Sequence, residues 1–76
     1  MSSDTPTINM AATSANIKAL IKNKGLKVAD VQVRCGFNTP QAIFKWMRGD
    51  AMPTIDNMVI LAKMLGVTID KIIILN

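Results

Sequence analysis

Glycines at 25, 36, 49 and 66 divide the chain into segments, each reading as a helix of a few turns. A glycine closes a helix well because it takes positive φ without a Cβ penalty. The segment between Gly36 and Gly49, Gly-Phe-Asn-Thr-Pro-Gln-Ala-Ile-Phe-Lys-Trp-Met-Arg-Gly, organises the rest. Asn38 or Thr39 can cap its helix, and Pro40 suits the first helical position, where no N–H is needed. Within it Ile43, Trp46 and Met47 stand at i, i+3 and i+4 and form an apolar stripe. Gln41, Phe44, Lys45 and Arg48 fall on the other side. A free face carrying an amide, an aromatic ring and two cations is suited to a polar, anionic partner, for which the major groove of DNA is the leading candidate. An ordinary surface helix is the competing reading.

The chain has 76 residues, which is one domain at most. Half of them are hydrophobic but only 4% are aromatic, so the core should be a thin bundle filled by Ile, Leu, Val and Met, with little room for an enclosed catalytic pocket. The net charge of +4 attracts polyanions, chiefly nucleic acid or an anionic membrane surface. The cations are scattered over several helices, which argues against a membrane-surface helix. Cys35 is the single cysteine and there is no histidine, so neither an intramolecular disulfide nor a Cys/His zinc site can form within one chain. Cys35 reads as a core thiol in a reducing compartment. No metal, cofactor or small-molecule substrate is indicated, and no nucleophile–base constellation or paired carboxylates point to an enzyme. Without an apolar run of about 18 residues or a secretory leader pattern, a cytoplasmic location is the default expectation.

Residues 1–12 are polar and read as a flexible arm, although Ile8 and Met10 alternate with polar neighbours and could pack as a short extended piece. The folded domain is expected over 13–76. Thr13 or Ser14 can cap the first helix, which buries Ile17, Leu20 and Ile21 and ends at Gly25. Residues 27–35 make the second, with Val28, Val31 and Cys35 on one side. Alternation of valines with polar residues there also hints at a strand, but the glycine spacing favours a helix. Thr54 caps a fourth helix with Ile55, Met58, Val59, Leu61, Ala62 and Leu65 inward. Thr68 caps a fifth, from Ile69 to about Ile73. The run Ile72-Ile73-Ile74-Leu75 is too apolar for one helix face. It completes the core, finishes as a strand, or offers Ile73, Ile74 and Leu75 as a dimer contact.

This order of blocks resembles the Cro/phage-repressor type of helix-turn-helix domain, the xenobiotic-response-element family. The resemblance runs from about Asn16 to Leu75. It is carried by Ile17-Lys18-Ala19-Leu20, Lys24-Gly25-Leu26, Gly36-Phe37, Ile43-Phe44-Lys45-Trp46-Met47-Arg48-Gly49, Pro53-Thr54-Ile55-Asp56-Asn57, Leu61-Ala62-Lys63-Met64-Leu65-Gly66-Val67 and Asp70-Lys71-Ile72. It implies an all-α, compact five-helix lambda-repressor-like fold whose helices 2 and 3 form the motif, with helix 3 in the major groove of double-stranded DNA. It implies that Ile43 and Trp46 are buried, and that Gln41 and Lys45 read base edges. Thr39, Ala42 and Phe44 match neighbours able to touch bases or a thymine methyl, and Asn38 beside them is a further candidate DNA contact. Arg48 matches a phosphate contact.

The chain departs from the pattern in three places. Val28 replaces the glutamine that often begins helix 2, so that phosphate contact is either lost or supplied by Lys27. Gln32 stands where a small residue is usual and should alter how the helices approach. The turn is one residue longer than the commonest form, similar to a subgroup with a Gly-Phe-x-x-Pro-Gln-Ala-Ile turn. The function implied is a sequence-specific transcriptional regulator, a repressor working as a homodimer or alone. The alternative is a protein-binding module of the same fold, an antitoxin, anti-repressor or adaptor, using the apolar C-terminus with Met47, Met52 and Met64.

Overall fold

The computed structural model describes residues 5–76. Five helices appear among them: α1 (Met10–Lys24), α2 (Val28–Cys35), α3 (Gln41–Arg48), α4 (Ile55–Leu65) and α5 (Ile69–Ile72). Their inward faces meet in one core of Ile17 and Ile21 from α1, Val31 from α2, Ile43 and Trp46 from α3, Met58, Leu61, Ala62 and Leu65 from α4, and Ile72 from α5. Burying each of the large side chains is worth roughly 1.5–3 kcal/mol, which is how helices too short to stand alone in water are held.

The first helix begins earlier than its sequence suggests. Asn9, not Thr13 or Ser14, is its cap, with the side-chain carbonyl accepting from the Ala12 N–H at 2.9 Å. The helix therefore takes in residues 10–12 of the expected arm. Residues 1–4 of that arm lie outside the described residues. Just ahead of the helix, Ile8 pairs antiparallel with Leu75. The Asn9 N–H donates to Ile74 O at 2.8 Å and the Asn76 N–H to Thr7 O at 2.9 Å. This pairing holds Asn9 extended, the backbone an N-cap needs. Thr13 is thereby freed for another task. Its buried hydroxyl accepts from the Ile74 N–H at 2.9 Å and stands 3.2 Å from Ile74 O, to which it donates. The start of α1 and the C-terminal strand-like end are thus tied together.

The strand hint in the second segment is not realised. Val31 is fully buried while Val33 is 79% exposed, and the partly buried Val28 and Cys35 lie with Val31 on the core side. Lys27 stands at the N-cap, and its backbone N–H donates to the Asp30 carboxylate at 2.7 Å. In α4 the core stripe is narrower than expected. Met58, Leu61, Ala62 and Leu65 fill it, whereas Ile55 is 76% and Val59 51% exposed. Ile55 begins the helix beyond the core's edge, and Val59 lies about 100° from Met58 around the axis. Thr54 caps this helix as anticipated, accepting from the Asn57 N–H at 3.3 Å.

Helix α5 has only four residues and ends one residue short of expectation. Thr68 occupies its N-cap without a side-chain cap bond. The Thr68 hydroxyl and Asp70's own N–H, both beside the Asp70 carboxyl, hold it below the usual range. The other end is secured from α1, where the Asn16 side-chain amide donates to Lys71 O at 2.8 Å and Ile72 O at 2.9 Å. The C-terminal run divides accordingly: Ile72 is fully buried, Ile73 packs partly against the core, and Ile74 and Leu75 are exposed. Met47 and Met64 also pack against the core.

Candidate nucleic-acid interface

Helix α3 lies chiefly against α1, with α2 as its second neighbour. Its residues sort by period into two faces. Ile43 and Trp46 are buried, and Ala42 and Met47 are half-buried beside them. Gln41, Phe44, Lys45 and Arg48 are all exposed. At 100° per residue these four span an arc of about 100°, so one face of a two-turn helix presents an amide, a ring, an ammonium and a guanidinium together. Trp46 meets the edge of Phe37 at a ring-centroid distance of 5.8 Å, which ties α3 to the turn preceding it.

That turn differs from its sequence reading by one position. Neither Asn38 nor Thr39 is the N-cap. Pro40 is, with φ −83° and ψ 6°, and its carbonyl takes the first helical bond from the Phe44 N–H at 3.1 Å. Thr39 supports the start more loosely, its hydroxyl accepting from the Gln41 N–H at 3.4 Å. Asn38 and Thr39 are exposed just ahead of the outward face. The Gln32 side chain is accommodated by the longer turn, bonding Phe37 O at 3.3 Å, while Phe37 N–H bonds Gln32 O at 3.1 Å. A residue that departs from the family pattern thus braces the loop that departs from it too.

At the far end Gly49 caps α3 with φ +84°. Beyond it the Asp50 carboxylate holds the Arg48 Nε at 3.0 Å, with both side chains more than half exposed. The pair aims the guanidinium but is worth little in stability in so wet a setting. Lys27 is exposed at the N-cap of α2. The site residues expected from sequence therefore fall into a coherent group of four, a flanking pair in the turn, the half-buried Ala42, and a cation on the neighbouring helix.

Three supporting residues carried no legible functional signal in the sequence. Asn16 and Thr13 act at long range, and their partners are backbone atoms more than fifty residues away. Ser14 is buried on α1 opposite Gly49, where a Cβ on the glycine would lie 3.3 Å from the serine oxygen. Among the described residues no group of side chains could hold a metal ion. Among the described residues no helix is long and apolar enough to cross a membrane.

Comparison with curated proteins and with solved structures finds no match. A family model described as helix-turn-helix, however, matches residues 17–72, from the first core residue of α1 to the last of α5. That span covers most of the chain and all the elements that build the exposed face of α3. With five helices and the α2–turn–α3 unit in place, the chain belongs to the Cro/phage-repressor type of helix-turn-helix family, whose members are DNA-binding regulators.

Proposed function

We propose that this chain is a sequence-specific transcriptional repressor that lays α3 in the major groove of double-stranded DNA. The observation that carries the reading is the shared exposed face of Gln41, Phe44, Lys45 and Arg48, set on a helix whose opposite face is locked by Ile43 and Trp46. Gln41 can bond adenine N6 and N7 together, and Lys45 can donate to guanine O6 and N7, at ~1–3 kcal/mol for each well-formed pair. Asn38, Thr39 and Ala42 flank them as secondary contacts. Arg48 and Lys27 contact phosphates on either side, supplying sequence-independent affinity that weakens with salt. The cellular site of action is the cytoplasm.

In this reading the repressor acts as a pair, reading two half-sites about one helical turn apart. Ile74 and the 53%-exposed Leu75 offer the contact between copies, next to the partly buried Ile73. The main alternative is a protein-binding role through the same apolar end. It draws less support, because Met47 and Met64 are spent on the core. Selection from a random duplex library tests the proposal. Enrichment of a roughly palindromic site, bound with an affinity that falls steeply with salt, is the expected result. Weak binding without enrichment would overturn it and turn attention to the 73–75 surface and a protein partner.

A further inference from the structure

Four acids lie among the described residues, and three of them serve a helix start. Asp30 accepts from the Lys27 N–H ahead of α2. Asp56 and Asp70 stand in the first turns of α4 and α5, where the helix dipole favours a carboxylate. Asp50 has no such place. It follows α3, and its carboxylate meets one group among the described residues, the Arg48 Nε at 3.0 Å. An exposed acid beside a face proposed to meet DNA repels the phosphates. The pair adds little to the fold, so stability does not account for the acid. The geometry of the pair offers another account. The Asp50 N–H donates to Lys45 O at 3.0 Å and the Ala51 N–H to the same oxygen at 3.4 Å, so the carboxylate leaves from an anchored backbone. It engages Nε and leaves both Nη groups of the guanidinium open. Those two groups form a planar fork whose spacing matches two oxygens of one phosphate.

We propose that Asp50 is a positioning residue that presets the Arg48 guanidinium, so that its Nη pair forks onto a single phosphate when α3 is seated in the groove. The inference rests on the DNA-reading role proposed above and deepens it, by naming the residue that governs one phosphate contact. A free arginine gives up side-chain freedom when it binds, whereas a held one has given up part of it already. Phosphate contacts of fixed geometry set the register of the helix along the duplex. On unselected DNA the helix is not seated, binding follows charge alone, and the acid only weakens it. Asp50 therefore strengthens binding at the selected site and weakens it elsewhere. Its effect is on discrimination, although neither it nor Arg48 touches a base.

The test measures the full chain, D50A and D50N on two duplexes of equal length, the one selected by the full chain and one of random sequence. D50A should bind the selected duplex about two- to tenfold more weakly, the range for immobilising one long side chain. It should bind the random duplex at least as tightly as the wild type does. D50N keeps an acceptor for Nε without the charge and should recover part of the loss. In an R48A background D50A should cause no further loss at the selected duplex. Thermal melting should be unchanged in D50A and D50N, which separates positioning from folding. Equal or tighter binding of D50A to the selected duplex would overturn the inference while leaving the DNA-reading role intact, because the acid would then only oppose DNA. So would the same fractional loss with and without Arg48, parallel losses on both duplexes, or a loss that accompanies a lowered melting temperature. Failure to select any site would remove the DNA-reading role itself, and this inference with it.

Discussion

Replacing Gly49 by alanine tests how the recognition helix is seated. Gly49 closes α3 with φ +84°, and a Cβ there would lie 3.3 Å from the buried Ser14 oxygen and 3.8 Å from its Cβ. Gly36 closes α2 with nearly the same backbone, φ +75°, yet a Cβ there would meet nothing within 4 Å. Both substitutions carry the cost of a left-handed backbone in an L-residue, about 1–2 kcal/mol. Only Gly49→Ala adds crowding in a packed contact, about 1–3 kcal/mol more. The Ser14 hydroxyl is itself buried with no hydrogen-bond partner among the described residues, so Ser14→Ala alone should be neutral or mildly stabilising. The double variant should then regain most of the excess loss, which a double-mutant cycle in urea denaturation measures directly. Equal losses for Gly49→Ala and Gly36→Ala, or no relief from Ser14→Ala, would refute the claim that close approach of α1 to the end of α3 fixes the helix.

Other consequences of the packing are open to similar checks. Trp46→Ala should cost ~3–5 kcal/mol, and an unchanged melting temperature would contradict the burial that sets the two faces of α3. Asn16→Ala removes two bonds to the end of α5 and should cost about 1–2 kcal/mol, with faster amide exchange at Ile73 as the local signature. Burial pushes the Cys35 thiol up, so less of it is thiolate at a given pH; native protein at pH 8 should react with a thiol reagent more slowly than urea-unfolded chain, and equal rates would contradict that placement.

Local chemistry made much of this fold legible. The α3 pattern announced both of its faces, because Ile43, Trp46 and Met47 repeat at the helical period, and the family blocks fixed the order of the elements. What the sequence could not display was competition between distant groups. Thr13 looks like a cap, but the pairing of residues 7–9 with 74–76 delivers Asn9 as the cap and engages the Thr13 hydroxyl with Ile74. Ile55 and Val59 look like core residues of α4, and nothing in their identity says that the core ends before reaching them. The start of α3 was displaced by one position because the Pro40 carbonyl takes the first helical bond, a detail that the Asn-Thr-Pro string leaves open. The identity of Gln32 does not show that its amide reaches across the turn to Phe37 O.

The central claim is that the outward face of α3 reads base sequence. The most direct measurement is parallel selection from one random duplex library with the wild-type chain and with Lys45→Ala, each checked for folding beforehand. The account predicts an enriched site for the wild type and, for the variant, the same site with preference relaxed at one base pair per half-site. Identical preferences in the two selections, with binding weaker by one uniform factor, would contradict it and reduce Lys45 to a phosphate contact.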